Sequence, residues 1–230
     1  MINIIEVKGV TKKYSEPKGE RIIFEDLYFS AKKGDFITIM GPSGCGKTTF
    51  LNIISTLDSN YEGDIFFEGN NIKKLPENDK DLIRLKKIGY VFQFDSLIEE
   101  LTVYENITLP LTALKEKKRK DEILTLLENF NMKDIADKYP SEISVGEKQR
   151  AALIRAIINS PSLLLADEPT GNLDIENAIR VMEDFKKLHE EGVTIIMVSH
   201  NRELVERYSK KLYRIEKKRL NEYEKQVAKQ

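Results

Sequence analysis

Residues 35–50, DFITIMGPSGCGKTTF, leave this chain few folds to choose from. Phe36, Ile37, Ile39 and Met40 form an apolar run of strand length that breaks at Gly41. The pattern G-x-x-x-x-G-K-[ST] follows, filled by Gly41, Pro42, Ser43, Gly44, Cys45, Gly46, Lys47 and Thr48. Glycines at 41, 44 and 46 let the backbone curl tightly and turn its N–H groups into a hollow. Residues 47–54 read as a helix whose orphan N-terminal N–H groups and dipole face that hollow, making an anion site. The Lys47 ammonium can reach β- and γ-phosphates, and the Thr48 hydroxyl can ligate Mg²⁺. A Gly-rich strand-to-helix turn without a ligand is the plainer alternative. Eight motif residues in the strand–loop–helix setting the motif requires outweigh it, so the stretch is a nucleotide phosphate loop.

The length of 230 residues suits one domain with an insertion, or two joined subdomains. Charged residues make up 33% yet balance to a net charge of −1, so no bulk field draws nucleic acid or an anionic membrane. Apolar runs such as 195–198 fall far short of the roughly 20 residues of a membrane span. The start, MINIIEVKGV, lacks the basic and apolar regions of a signal peptide. One cysteine excludes an intrachain disulfide and fits a reducing compartment. These features lead to the expectation of a cytosolic protein.

Upstream of the loop, residues 2–10 and 21–31 are β-rich, and Lys32-Lys33-Gly34-Asp35 is a turn. Tyr14, between them, can offer its ring to an adenine, although ordinary packing is the commoner fate of such a tyrosine. GDIFFE (63–68) reads as a further strand, so this part is an antiparallel β layer joined to a nucleotide core. A polar helix is expected over 77–87 and a buried strand at 88–92, ending at Gln93. An amide there can reach Mg²⁺ or an attacking water; an exposed loop residue is the bland reading. Residues 94–114 mix apolar positions, Phe94 among them, with acids and turns. Residues 117–131 are amphipathic, with Ile123, Leu126, Leu127 and Phe130 on one face. The basic run 115–120 reads as a solvated face.

Residues 141–160, SEISVGEKQRAALIRAIINS, carry a second signal. Ser144 and Glu147 match the S-x-x-E capping box that opens a helix, with Leu153, Ile154, Ile157 and Ile158 as its buried face. Gly146, at the second helical position, goes against propensity and suits close approach of an anion. Then 163–166 form a buried strand delivering Asp167 and Glu168 to its C-terminal edge, where ligands sit in parallel α/β sheets. Asp167 can hold Mg²⁺, while Glu168 can orient or deprotonate an attacking water. An amphipathic helix over 175–190 is expected to turn Ile175, Ile179, Met182, Phe185 and Leu188 inward. The strand 193–199 ends on His200, at the edge where a γ-phosphate would lie, whereas His189 looks exposed. A structural role remains open for His200. A strand is read at 212–215, and 216–230 is read as a charged, fraying tail.

In this order the motifs resemble the nucleotide-binding subunit of ABC transporters, from Ile4 to about residue 215. The carriers are Tyr14 (A-loop), GPSGCGKTT including Thr49 (Walker A), Gln93 (Q-loop), ISVGEKQR (signature), LLLADEP (Walker B), Asn172-Leu173-Asp174 (D-loop) and His200 (H-loop). The subgroup it is most similar to is that of lipoprotein release and macrolide export, on GPSGCGKTTFLNII, IGYVFQ, LTVYENITLPL and ADEPTGNLD. The resemblance implies an α/β P-loop NTPase with a RecA-like core, an antiparallel β subdomain and an inserted helical subdomain. The core and β subdomain would occupy 1–93 and 161–215, the helical subdomain 94–160, all within a single domain.

It further implies a homodimer closing on two molecules of ATP with Mg²⁺. Glu168, His200 and Gln93 would then be catalytic, and Thr48, Gln93 and Asp167 metal-binding. Tyr14, residues 41–49 and, from the partner, Ser144, Gly146 and Glu147 would bind nucleotide. A separate membrane permease would be touched through the Q-loop region, placing the chain on the inner face of the cell membrane, with no nucleic acid involved. The sequence departs from L-S-G-G-Q with I-S-V-G-E, and its last hairpin lacks an Asp-Gly turn. A ribosome- or DNA-directed ABC ATPase is the alternative, disfavoured by the lack of tandem cassettes or a basic surface. A GTPase or kinase is disfavoured by the lack of N-K-x-D.

Overall fold

The computed structural model describes residues 3–17, 19–93, 97–115 and 120–223. In chain order they form β1 (Asn3–Glu16), β2 (Gly19–Lys32), β3 (Phe36–Met40), α1 (Lys47–Ile54), β4 (Glu62–Phe67) and β5 (Asn70–Asn71). Next come α2 (Glu77–Lys86), β6 (Ile88–Val91), α3 (Val103–Ala113), α4 (Lys120–Asn129) and α5 (Val145–Ile157). The chain closes with β7 (Leu163–Asp167), α6 (Ile175–Glu190), β8 (Thr194–Val198), α7 (Arg202–Tyr208), β9 (Lys211–Glu216) and β10 (Arg219–Tyr223).

Among the described residues the strands form two sheets. One is antiparallel, in the order β2-β1-β4-β5; the other runs β10-β9-β3-β8-β7-β6, parallel except for the β9–β10 hairpin. Parallel strands buried on both faces read as continuous apolar runs, as FITIM, LLLAD and TIIMV do. Alternation then sends neighbouring side chains into two different cores. Ile37, Ile39, Leu163, Leu165, Ile196 and Val198 face the antiparallel sheet and α1, meeting Phe24, Phe29 and Phe50. Phe36, Leu164, Ala166, Ile195 and Met197 face the helices, meeting Leu153, Ile154, Val181 and Phe185. Each such fully buried Val, Leu, Ile, Met or Phe side chain contributes about 1.5–3 kcal/mol. The parallel sheet is thus held from both sides, and its C-terminal strand edges are left as the open rim.

Several elements differ from the sequence reading. β1 continues to Glu16, so Tyr14 lies inside a strand opposite Arg21. Residues 103–113 are a helix, opened by a Thr102–Glu105 capping box; Phe94 and residues 116–119 lie outside the described residues. Ile175 is 58% exposed, because it starts α6, whose inward stripe runs through Ala178, Val181, Met182, Phe185 and Leu188. His189 is half-buried, its ring edge-on to Phe36 with centroids 5.6 Å apart.

The tail is also more ordered than charge alone suggests. Lys217 and Lys218 both adopt positive φ (48° and 64°) as a two-residue turn between β9 and β10. Cross-strand pairing and burial of Leu220 stand against the left-handed cost of about 1–2 kcal/mol per residue. Residues 224–230 lie outside the described residues. No helix among the described residues is long and apolar enough to cross a membrane.

Candidate nucleotide site

The open rim of the parallel sheet carries a cavity of about 660 Å³. The loop between β3 and α1 forms one wall, through Gly41, Pro42, Ser43, Gly44, Gly46, Lys47, Thr48 and Thr49. The ends of β6, β7 and β8 supply Gln93, Asp167, Glu168 and His200, and the β1–β2 hairpin supplies Tyr14 and Arg21. Residues far apart in sequence meet here because parallel strands all end on the same side.

Local geometry explains the loop. Gly46 caps α1 with φ 110°, and a Cβ there would stand 2.5 Å from Ile23 and 3.0 Å from Phe24. No side chain caps the helix, so its first N–H groups stay available to an anion. The Cys45 side chain takes a different course. Its Sγ sits where it would be 2.6 Å from a Cβ on Gly41, and it lines a neighbouring groove with Ile215 rather than this cavity. The Cys45 backbone N–H bonds Pro42 O at 3.3 Å and shapes the loop.

The charged groups form one connected set. Lys47 Nζ donates to Gly41 O at 2.9 Å and Pro42 O at 3.3 Å, and stands 3.5 Å from Glu168 Oε1. Glu168 Oε2 accepts the His200 backbone N–H at 3.1 Å and lies 2.8 Å from His200 Nδ1. Glu168 is 6% exposed and holds φ 47°, an αL geometry rare for a side chain of its size. That strain lets the turn leaving β7 aim its carboxylate back into the cavity.

Asp167 is 4% exposed. Burial pushes its carboxyl above the usual range, while the Thr48 hydroxyl hydrogen-bonds it and opposes the shift. Its Oδ1 is buried without a partner. An orphaned carboxylate oxygen beside a threonine hydroxyl fits a hard cation held by oxygens. Among the described residues there is no group of three or more His, Cys, Asp or Glu that could hold a metal ion.

The signature residues lie apart from this cavity. Ser144 caps α5, its Oγ accepting from Glu147 N at 3.3 Å, while Glu147 Oε2 accepts from Ser144 N at 2.7 Å and Oγ at 2.8 Å. These bonds hold the Glu147 carboxyl below its usual range. Gly146 is buried, and a Cβ there would stand 2.7 Å from Asn177 Oδ1 and 2.8 Å from Asn177 Cγ. The glycine therefore has a reason inside the chain: it lets α5 close on α6. Asn177 is held in turn by Asp174, which caps α6.

Sequence reasoning did not single out Arg21, which donates to Gly44 O at 3.2 Å, nor Asn177. Only strand register and helix packing bring them in.

The family model described as "ABC transporter" matches residues 24–171. The lipoprotein-releasing system ATP-binding protein LolD of Aquifex aeolicus is 45% identical over 80% of this chain and 83% of its own length. An uncharacterised ABC transporter ATP-binding protein of Methanocaldococcus jannaschii is 39% identical over 92% of this chain and 95% of its own. Among solved structures, a dimeric post-hydrolysis state of the ATP-binding cassette MJ0796, bound to ADP and Pi, superposes with a TM-score of 0.87. That pair shares 32% identity and covers 96% of this chain and 98% of the other.

Proposed function

This chain belongs to the ABC transporter family, as an ATP-binding and ATP-hydrolysing subunit, and on that premise we propose how its residues divide the work. The observation that carries the reading is the Glu168 carboxylate, held at the cavity rim between Lys47 and His200. A triphosphate entering the cavity competes for the Lys47 ammonium and draws it from Glu168. Glu168 then faces the γ-phosphate as the base that orients and deprotonates the attacking water. His200 holds that carboxylate in place and offers its ring to the developing charge. Thr48, Asp167 and Gln93 are the residues that would hold Mg²⁺. When bound it would neutralise charge on the β- and γ-phosphate oxygens. Tyr14 stacks the base.

Ser144 and Gly146 do not line this chain's own cavity, which supports a role toward a second copy's nucleotide. Val145 is 54% and Ile175 58% exposed at the starts of α5 and α6; a head-to-tail partner would cover both. A separate groove of about 370 Å³ runs between α2, β6, α3 and α5, lined by Leu85, Tyr90, Phe92, Leu109, Pro110 and Ala113. Phe92 is 43% and Leu109 40% exposed there, next to Gln93. We assign it to a cytoplasmic segment of the permease, which would seat the chain on the inner face of the membrane.

The test is Mg-ATP hydrolysis by the purified chain. Lys47→Ala should lose nucleotide binding. Leu109→Asp should leave basal hydrolysis intact and lose its response to the permease. Hydrolysis unaffected by Lys47→Ala would overturn the assignment of the cavity.

A further inference from the structure

Lys12 is 1% exposed, among the largest fully buried side chains of the chain. Lysine is almost never buried without a partner. Its ammonium stands 2.7 Å from Asp58 Oδ2 and donates to Asn60 O at 2.7 Å. A third neighbour is the Tyr14 ring, whose centroid is 4.6 Å from Nζ. Residues two apart on a strand share a face, so β1 itself sets the ammonium against the ring.

Asp58 lies in the turn that follows α1, its N–H bonded to Asn52 O at 3.1 Å and its Oδ1 accepting from Asn60 N at 2.9 Å. Lys12 thus ties the far end of the phosphate-loop helix to the strand that carries Tyr14. Because Lys12 is buried, the face it covers is the closed side of the ring. The ring is 41% exposed and lines the phosphate cavity, with Oη 3.5 Å from Thr49 Oγ1.

We propose that Lys12 is a positioning residue for the nucleotide base: it fixes the plane of the Tyr14 ring and supplies a cation behind it, so that the base stacks on the opposite face. The inference rests on the reading of Tyr14 as the base platform. An aromatic face is electron-rich and repels another aromatic face laid flat on it. A cation behind the ring offsets that charge and is attracted to it. A buried ion pair alone accounts for Asp58 and Asn60, but it is indifferent to whether the ligand carries a base.

That difference sets the experiment. Binding of Mg-ATP and of Mg-tripolyphosphate, which has no base, is measured by calorimetry on the full chain. Lys12→Met combined with Asp58→Asn, which leaves no unpaired charge, should weaken ATP roughly threefold to tenfold and leave tripolyphosphate unchanged. Lys12→Arg should keep the ATP affinity. In a Tyr14→Leu background, ATP should already be weakened and the Lys12 change should add nothing. If that double variant does not fold, Lys12→Gln with Asp58→Asn removes both charges, keeps a donor for Asn60 O and serves the same comparison. Equal weakening of both ligands would make Lys12 merely structural and overturn the proposal, as would unchanged ATP affinity. Full ATP affinity in Tyr14→Leu alone would instead fault the platform reading, so the two failures are told apart.

Discussion

Glu168 Oε2 lies 2.8 Å from His200 Nδ1 and 3.1 Å from the His200 backbone nitrogen, so one carboxylate oxygen binds the ring and the backbone of the same residue. The two residues leave adjacent strands, β7 and β8, whose pairing sets their separation. Glu168→Gln keeps an acceptor for the backbone N–H and removes the carboxylate proposed as the base. ATP binding should persist while turnover falls by about 10²–10⁴-fold, trapping a two-nucleotide dimer visible by size-exclusion chromatography. A monomeric variant hydrolysing at the parental rate would contradict the role of Glu168.

Gly146 and Asn177 make a second test. Gly146→Ala places a Cβ against Asn177 and should separate α5 from α6, lowering both stability and activity. Asn177→Ala in the same chain should restore the fold. If stability returns and ATPase activity does not, Gly146 has a further role at a partner's phosphate. Gly146→Asp should abolish activity by adding both bulk and charge. Val145→Gly removes an exposed side chain at the first helical position and should alter ATPase activity little.

Arg150 Nε stands 2.7 Å from Asp184 Oδ2, both side chains being largely buried, and Arg150 also donates to Phe130 O. Burial pushes the Asp184 carboxyl up, partly opposed by Arg150. Arg150→Met leaves that carboxylate unpaired and should cost about 3–5 kcal/mol at neutral pH. A carboxyl whose folded pKa is raised favours the folded state below its unfolded pKa and loses that contribution as pH rises. The deficit should therefore shrink on acidification. Denaturant titrations at pH 7 and 5 check this, and Arg150→Met with Asp184→Leu should recover most of the loss.

The Glu147 carboxyl is lowered by its bonds to Ser144. A lowered pKa contributes stability above the unfolded value near 4.5, and this is lost as pH falls through the folded value. Glu147→Gln has no charge to lose. The stability difference between parent and variant should be constant at neutral pH and vanish in acid, as read from thermal unfolding across pH.

Cys45 fills the space behind the phosphate loop rather than the cavity itself. The groove that Cys45 lines with Ile215 can take a maleimide, but an adduct there bears on the loop from behind, against Gly41. Alkylation should inactivate the ATPase at one site, and Mg-ATP should protect by holding the loop closed rather than by covering the thiol. Cys45→Ser should stay active and resist. Mass spectrometry locates the adduct; full labelling of Cys45 with ATP binding and hydrolysis intact would contradict the coupling of this groove to the loop.

The sequence by itself determined whatever depends on short-range chemistry. The phosphate loop, the S-x-x-E cap of α5 and the apolar strand before Asp167 each lie within about a dozen residues. Their physics is local: backbone freedom at glycine, orphan N–H groups at a helix start, a strand buried on both faces. Tertiary structure decided what depends on register and packing between distant segments. Arg21 reaches the cavity only because β2 pairs with β1 opposite Tyr14, and Gly146 meets Asn177 only because α5 packs on α6. Lys12 becomes a buried cation only when the turn after α1 brings Asp58 to it, and two lysines turn left-handed only because β9 and β10 pair around them. A window of sequence carries no record of such partners, since each is chosen by burial and pairing summed over the whole chain.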